Sequence, residues 1–261
     1  TAACAVVAIA ILFIILGYIA IQGVTSLSFG FLTNTPQDLT NIKNSGIGNA
    51  ILGSLLMTGL SCAIGLPIGI AAGVYLAEIG SGWYGKVVRF VADTMTGTPS
   101  IIIGIFIYTL VVLPMSQYSA LAGSLALAII IIPIVARTTE EMIKLVPQPM
   151  REGGLALGAA QWRVTWDIVL PAAASGIATG AILAVARVSG ETAPLLFTAL
   201  NNRRYNYFFD QPMASLTVQI YNYAIGSDPT EHQLAWAATL VLMALILTIN
   251  ILVRYLTRKK F

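Results

Sequence analysis

The sequence predicts an all-α membrane protein that crosses the bilayer six times, and three observations predict it. Hydrophobic residues make up 57% of the 261-residue chain and charged residues only 10%, against roughly 25% charged in an ordinary soluble domain. The apolar stretches reach the ~20 residues that a helix needs to cross the hydrocarbon. They are continuous, not alternating, which excludes a β-barrel. With 14 basic and 11 acidic residues the chain cannot cover a soluble surface. A disordered chain, a disulfide scaffold and a nucleic-acid binder are excluded with it. Cys4 and Cys62 both lie in apolar runs and give neither a disulfide framework nor a zinc pattern. The single histidine, His232, leaves little room for imidazole chemistry.

Thr1 to Gln22 carries no charge and forms the first span. The chain begins inside that span without a basic flank, so residues are expected to precede it, and it does not read as a signal peptide. The uncharged stretch between Lys43 and Glu78 gives a long second helix, or one broken around Pro67. The stretch between Asp93 and Arg137 holds two crossings, split near Pro114 to Ser119. A fifth span runs from about Pro171 to Leu196 and a sixth from Leu234 to Tyr255. Lys and Arg favour the cytoplasmic side. With six spans, one side holds Lys86, Arg89, Arg137, Lys144, Arg151, Arg163, Arg254, Arg258, Lys259 and Lys260, and the other Lys43, Arg203 and Arg204. Both ends are therefore expected in the cytoplasm of a bacterial or archaeal cell. Residues 23–50, a turn at 114–119 and residues 197–233 lie outside.

Gly80 to Lys86 fits the Walker A spacing as far as the lysine, but Val87 stands where a hydroxyl should hold magnesium, and no parallel strand precedes it. The segment reads as a glycine-rich turn with Trp83 and Tyr84 at the interface. Gly65, Gly69 and Gly73, and again Gly176 and Gly180, make small-residue stripes on which helices approach closely in lipid, chiefly within the chain.

The loop 137–167 is too long for a simple helix–helix connection. Its spacing is Glu152-Gly153-Gly154, three residues, Gly158, nine residues, then Ile168-Val169-Leu170-Pro171. This resembles the E-A-A-x3-G-x9-I-x-L-P loop of ATP-binding cassette (ABC) importer permeases at every anchor, with two glycines in place of the two alanines. Gly158 permits a turn or a close backbone approach, and Glu152 can meet a basic group or a helix N-terminus. Trp162 and Trp166, four apart, are expected to stack and anchor the second short helix. An interfacial helix lying on lipid is the plainer reading of the same segment.

Arg187 and Glu191 lie within the fifth span, where an isolated charge is costly. They are either a structural pair or a substrate site. In the second case Arg187 offers a planar fork of donors to an oxyanion, Glu191 holds it, and Ser189 and Thr192 add hydroxyls. The stretch ARVSGETAPLLFTAL, with GTPSIIIGIF at 97–106, LPIGIAAGVYLAEIG at 66–80 and MASLTVQIYNYA at 213–224, resembles the PstA family of phosphate permeases. The resemblance runs from about residue 46 to the end. It implies a six-span ABC type I (MetI-like) permease core over 46–256 with its coupling loop at 137–171. Residues 1–45 form a first span and external loop, and 257–261 a basic tail. It further implies a sister permease of the PstC type, two ATPases of the PstB type that carry ATP and Mg, and a phosphate-binding protein of the PstS type. This chain itself is expected to bind no cofactor or metal and to catalyse nothing.

Three features stay open. Asp93 to Pro99, with Thr94, Thr96 and Thr98, is a capped helix start or a set of amides that could face an anion. Arg137 is a second anion contact or a snorkelling terminal arginine. Residues 201–211 are an interfacial anchor or a docking patch for the binding protein. Together with the resemblance, these residues imply one transmembrane half of an ATP-driven phosphate importer. The alternatives are a permease for another oxyanion such as molybdate or phosphonate, an ion-coupled secondary transporter using Arg187 and Glu191 as a proton relay, or an added sensory role.

Overall fold

The computed structural model describes residues 2–37 and 43–258, and all regular structure among them is helical. The order is α1 (Ala2–Val24), α2 (Phe29–Thr33), α3 (Gly48–Glu78), α4 (Trp83–Gly97) and α5 (Ser100–Ile107), then a π-helical turn (Tyr108–Val112) into α6 (Leu113–Met115). α7 (Ala120–Lys144), α8 (Gln148–Ala156) and α9 (Gln161–Val164) follow, then a second π-helical turn (Thr165–Val169). The chain closes with α10 (Leu170–Ser189), α11 (Ala193–Thr198), α12 (Leu216–Ala224) and α13 (Pro229–Arg258). Residues 259–261 of the basic tail lie outside the described residues.

Five helical stretches are long and apolar enough to cross a membrane: α1, α3, α7, the run from α9 to α10, and α13. The sixth crossing follows from packing. A Cβ on Gly65, Gly69 or Gly73 would meet Ile131, Val135 or Thr139 respectively. That constant offset means α3 and α7 run parallel. The chain between Glu78 and Ala120 must therefore return to the starting face, and α5 to α6 is what carries it back. α4 meets that return segment at 104°, so it lies across the bundle end instead of prolonging the span. Thr94, Thr96 and Thr98 bond back to Phe90, Ala92 and Thr94 carbonyls at 2.7–2.9 Å. The break falls at Pro99, which caps α5 without a side-chain bond.

α7 is the central element. Ser119 caps it by accepting from the Ala122 N–H at 3.1 Å, and its Leu127, Ile131 and Val135 are fully enclosed. α3 runs unbroken through Pro67, contrary to the expected alternative of a break there, and α7 likewise contains Pro133. Each proline removes one ladder bond, but the flanking turns are held by neighbouring helices, which is how membrane helices tolerate proline. α10 packs on α7 beside α3, with Gly176 against Met142 and Gly180 against Thr138. Here the offset reverses, so α10 is antiparallel to α7. Both glycine stripes thus serve packing within the chain. α1 joins the rim of the bundle, where Tyr18 meets Trp236 of α13 edge to face at 5.3 Å.

The stripe makes a direct prediction. A Cβ on Gly73 would lie 2.5 Å from the Thr139 Cβ and 2.6 Å from the Ala136 carbonyl oxygen. Gly73→Leu should therefore wedge α3 from α7 and destabilise the fold by roughly 1–3 kcal/mol. Gly59→Leu, where a Cβ meets nothing within 4 Å, is the control, and thermal unfolding in detergent compares the two.

Two boundaries differ from expectation. The fifth span is not one helix to Leu196: α10 ends at Ser189, and α11 resumes at Ala193. Nor is 197–233 a free external loop, since Met213 to Gln219 are buried and α12 packs between α3 and α13. The reason is polar: Asn49 of α3 donates to the Asn202 carbonyl at 2.5 Å, and the Ser54 hydroxyl accepts from the Leu216 N–H at 2.7 Å. These bonds satisfy backbone that would otherwise exclude the segment from the bundle.

Candidate functional site

The break in the fifth span sets the site. The antiparallel register with α7 puts Arg187 level with Ile131, close to the middle of α7, and about 9 Å along the axis from Arg137. Gly190 and Glu191 close the end of α10, their N–H groups donating to the Arg187 and Val188 carbonyls at 3.1 Å. α11 then continues the crossing toward the end of the bundle where α7 begins, and Leu195 and Ala199 pack over Gly123 there. Thr217 of α12 donates to the Glu191 carbonyl at 2.9 Å and fixes the break from the side.

At this break Arg187 stands half-exposed, with a side chain 49% accessible, and Glu191 is 16% accessible. Their closest approach is 3.8 Å, too long for a hydrogen bond. Among the described residues no other acceptor meets the Arg187 guanidinium. Its donors are therefore available at the surface of the chain. Thr192 caps α11, its carbonyl accepting from Leu195 and Leu196. Ser189 is turned elsewhere: its hydroxyl donates to the Val185 carbonyl at 2.8 Å, and it lines a cavity of about 200 Å³ with Ser54, Thr58 and Cys62. Arg187 and Glu191 are thus brought together, Thr192 serves the start of α11, and Ser189 points elsewhere.

Arg137 has a different environment. Its Nε lies 2.9 Å from Asp93 of α4 and its Nη1 2.6 Å from Glu140. Glu140, with no accessible surface, also takes Arg89 Nε at 2.6 Å and Lys144 Nζ at 2.5 Å. Arg89 further donates to the Leu76 and Gly80 carbonyls at 2.7 and 2.9 Å, capping the end of α3. Glu140 and Arg89 were not singled out from sequence. The spacing of Glu140, three residues after Arg137 and four before Lys144, was the available signal. In the Walker-like turn, Gly85 lies against the Gly80 carbonyl and Trp83 meets Tyr84 edge to face, which makes it a helix–turn–helix corner. No cluster of three or more metal-ligating side chains occurs among the described residues.

The α8–α9 loop sits at the same end as this network, where Arg151 pairs with Glu78. Gly158 adopts φ +82° with nothing near its Cβ position, so the residue serves a left-handed turn between α8 and α9 and not a close approach. The glycines in place of alanines have separate roles. A Cβ on Gly154 would lie 2.7 Å from Ile168, whereas Gly153 is open; α8 stays helical through both. Glu152 is exposed. Leu170 is half-buried and Pro171 opens α10 in its first turn. Trp162 and Trp166 do not stack on each other. Their side chains are 61% and 65% exposed, and Arg163 lies over Trp162 at 5.2 Å. The π-helical turn that contains Trp166 alters the four-residue phase that the stack required. In residues 201–211, Tyr205 donates to the Thr33 carbonyl at 2.6 Å while Tyr207 and Phe208 are exposed.

Residues 65–261 match the family model described as the binding-protein-dependent transport system inner membrane component. The phosphate transport system permease protein PstA of Yersinia pestis is 44% identical over 92% of this chain and 81% of its own length. A protein of Methanocaldococcus jannaschii, named a probable phosphate transport system permease protein PstA, is 38% identical over 86% of this chain and 78% of its own. Among solved structures, the inward-facing MetNI methionine ABC transporter superposes with TM-score 0.69 at 19% identity, over 82% of this chain and 95% of that one. A bacterial ABC transporter involved in alginate import gives TM-score 0.71 at 15% identity, over 98% and 94%. The parallel α3–α7 core, the broken fifth span and the α8–α9 loop define the membrane component of an ABC importer. Within that class, the chain belongs to the PstA family of phosphate transport system permeases.

Proposed function

We propose that this chain is one half of the translocation path of an ATP-driven phosphate importer, with a PstC-type sister permease supplying the other half. Two PstB-type ATPases carry ATP and Mg, and a PstS-type protein delivers phosphate. The observation that carries this reading is the half-exposed Arg187 guanidinium at the break of the fifth span, held at 3.8 Å from Glu191 and without another acceptor among the described residues. Phosphate oxygens accept a forked pair of hydrogen bonds from such a group. Arg137, already held by Asp93 and Glu140, is a structural cation at the basic face. That face is cytoplasmic, as its lysines and arginines require. The chain's own role is passive: it catalyses nothing, and closure of the ATPases moves α8 and α9, switching the two halves between inward-open and outward-open. Tyr207 and Phe208 face the side from which the binding protein docks.

Gly158 tests the loop. A β-branched residue at φ +82° is strained by about 1–2 kcal/mol, so Gly158→Val should lower both copurification of the ATPase and phosphate uptake in proteoliposomes. Gly158→Asn, which tolerates the left-handed region, should retain most of both. Equal loss in the two variants would mean that the turn is not what the glycine provides. Uptake that persists without the ATPases would favour an ion-coupled transporter instead.

A further inference from the structure

The coupling loop is covalently joined to α10, yet it reaches the other two core helices by another route. α8 rests through Gly154 on Val164 and Ile168, and between it and the end of α3 lies a cavity of about 520 Å³. One connection lines that gap. Arg151 of α8 pairs through Nη1 with Glu78, the last residue of α3, and through Nη2 donates to the Ile143 carbonyl of α7 at 2.9 Å. The two side chains are only 10% and 18% exposed, and Thr165 donates to the second Glu78 oxygen at 3.4 Å. On the far side, Arg89 holds the Leu76 and Gly80 carbonyls and Glu140. The ends of α3 and α7 are thus gripped by two arginines, one from α4 and one from the loop.

We propose that Glu78 is a positioning residue for transport: through Arg151 it makes a displacement of α8 arrive at α3 and α7 as well as at α10. A largely buried guanidinium whose two ends hold Glu78 of α3 and the Ile143 carbonyl of α7 suits this task. Its planar fork fixes the geometry, where loose packing around a cavity would yield. Because α3 and α7 interlock through Gly65, Gly69 and Gly73, a push received at Glu78 moves both as one body, in step with the push that α10 receives through the chain. The inference rests on the reading of α8 and α9 as the ATPase dock.

The test uses the complete importer, with sister permease, ATPases and phosphate-loaded binding protein, in proteoliposomes. For Glu78→Gln the ATPases should copurify as with wild type and ATP hydrolysis should continue. Phosphate uptake per ATP should fall about tenfold, the scale of one lost charge-assisted contact. Exchanging the partners, Glu78→Arg with Arg151→Glu, should recover most of that ratio. If Glu78→Gln does not accumulate, Arg151→Lys is read in its place; its single nitrogen cannot reach both Glu78 and the Ile143 carbonyl, so an intermediate loss is expected. Wild-type uptake per ATP in the variant obtained overturns the proposal, and so does an exchange no better than the single change. Should the wild-type complex itself neither copurify with the ATPases nor hydrolyse ATP in response to the loaded binding protein, the docking reading fails first and takes this inference with it.

Discussion

Arg187→Gln is expected to abolish phosphate uptake while the protein still inserts and assembles. The substitution keeps polarity but shortens the side chain and removes the charge and most of the donor fork. Two charge-assisted bonds to an oxyanion, each about 1.5–3 kcal/mol, correspond to at least on the order of 100-fold in uptake. Assembly should survive because Arg187 gives the fold little: its side chain is half-exposed and its approach to Glu191 is 3.8 Å. Arg187→Lys retains charge without the fork, so residual uptake there measures how much charge alone contributes. A structural pair predicts another pattern, in which Arg187→Gln lowers abundance and Arg187→Gln with Glu191→Gln restores abundance and uptake together. Radiolabelled phosphate uptake normalised to membrane protein level separates the two, and full uptake by the double variant would remove Arg187 from the phosphate path.

Glu140→Ala carries the largest expected effect on stability. The carboxylate has no accessible surface and lies within 2.6 Å of nitrogens from Arg89, Arg137 and Lys144. Its removal leaves Arg89 with no carboxylate and Arg137 with Asp93 alone, and breaking a buried pair in this way costs about 3–5 kcal/mol. Lys144, 54% exposed, adds little because water screens it. Arg137→Gln should cost much less, since Glu140 keeps Arg89. Thermal unfolding in detergent should rank Glu140→Ala well below Arg137→Gln, and the reverse order would mean that Asp93, not Glu140, organises the network.

Legibility followed from how local each interaction is. The glycine stripes were readable because Gly65, Gly69 and Gly73 repeat at the helical period, and a residue without a side chain in a lipid-soluble helix has few other uses. The turn between α8 and α9 was readable because Gly158 stands at a fixed place in the spacing of the loop, and it adopts φ +82°. Arg187 and Glu191 were readable because charges in an apolar run demand a reason. Glu140 was not, since it sits in a charged flank that reads as a solvated helix end, and its burial depends on Arg89, 51 residues away. The inward fold of 213–219 was hidden likewise, because Asn49 and Asn202 lie 153 residues apart. The expected tryptophan stack failed on a single local fact, the π-helical turn at Thr165–Val169.

The order of α7's neighbours bears on biogenesis. Its partners α3, α4 and α5 precede it in the chain, whereas α10, whose Gly176 and Gly180 lie against its Met142 and Thr138, follows it. Both groups of the Arg151–Glu78 pair also precede α10. The residues that tie α3, α7 and α8 to one another are therefore all synthesised before the helix that completes the packing on α7.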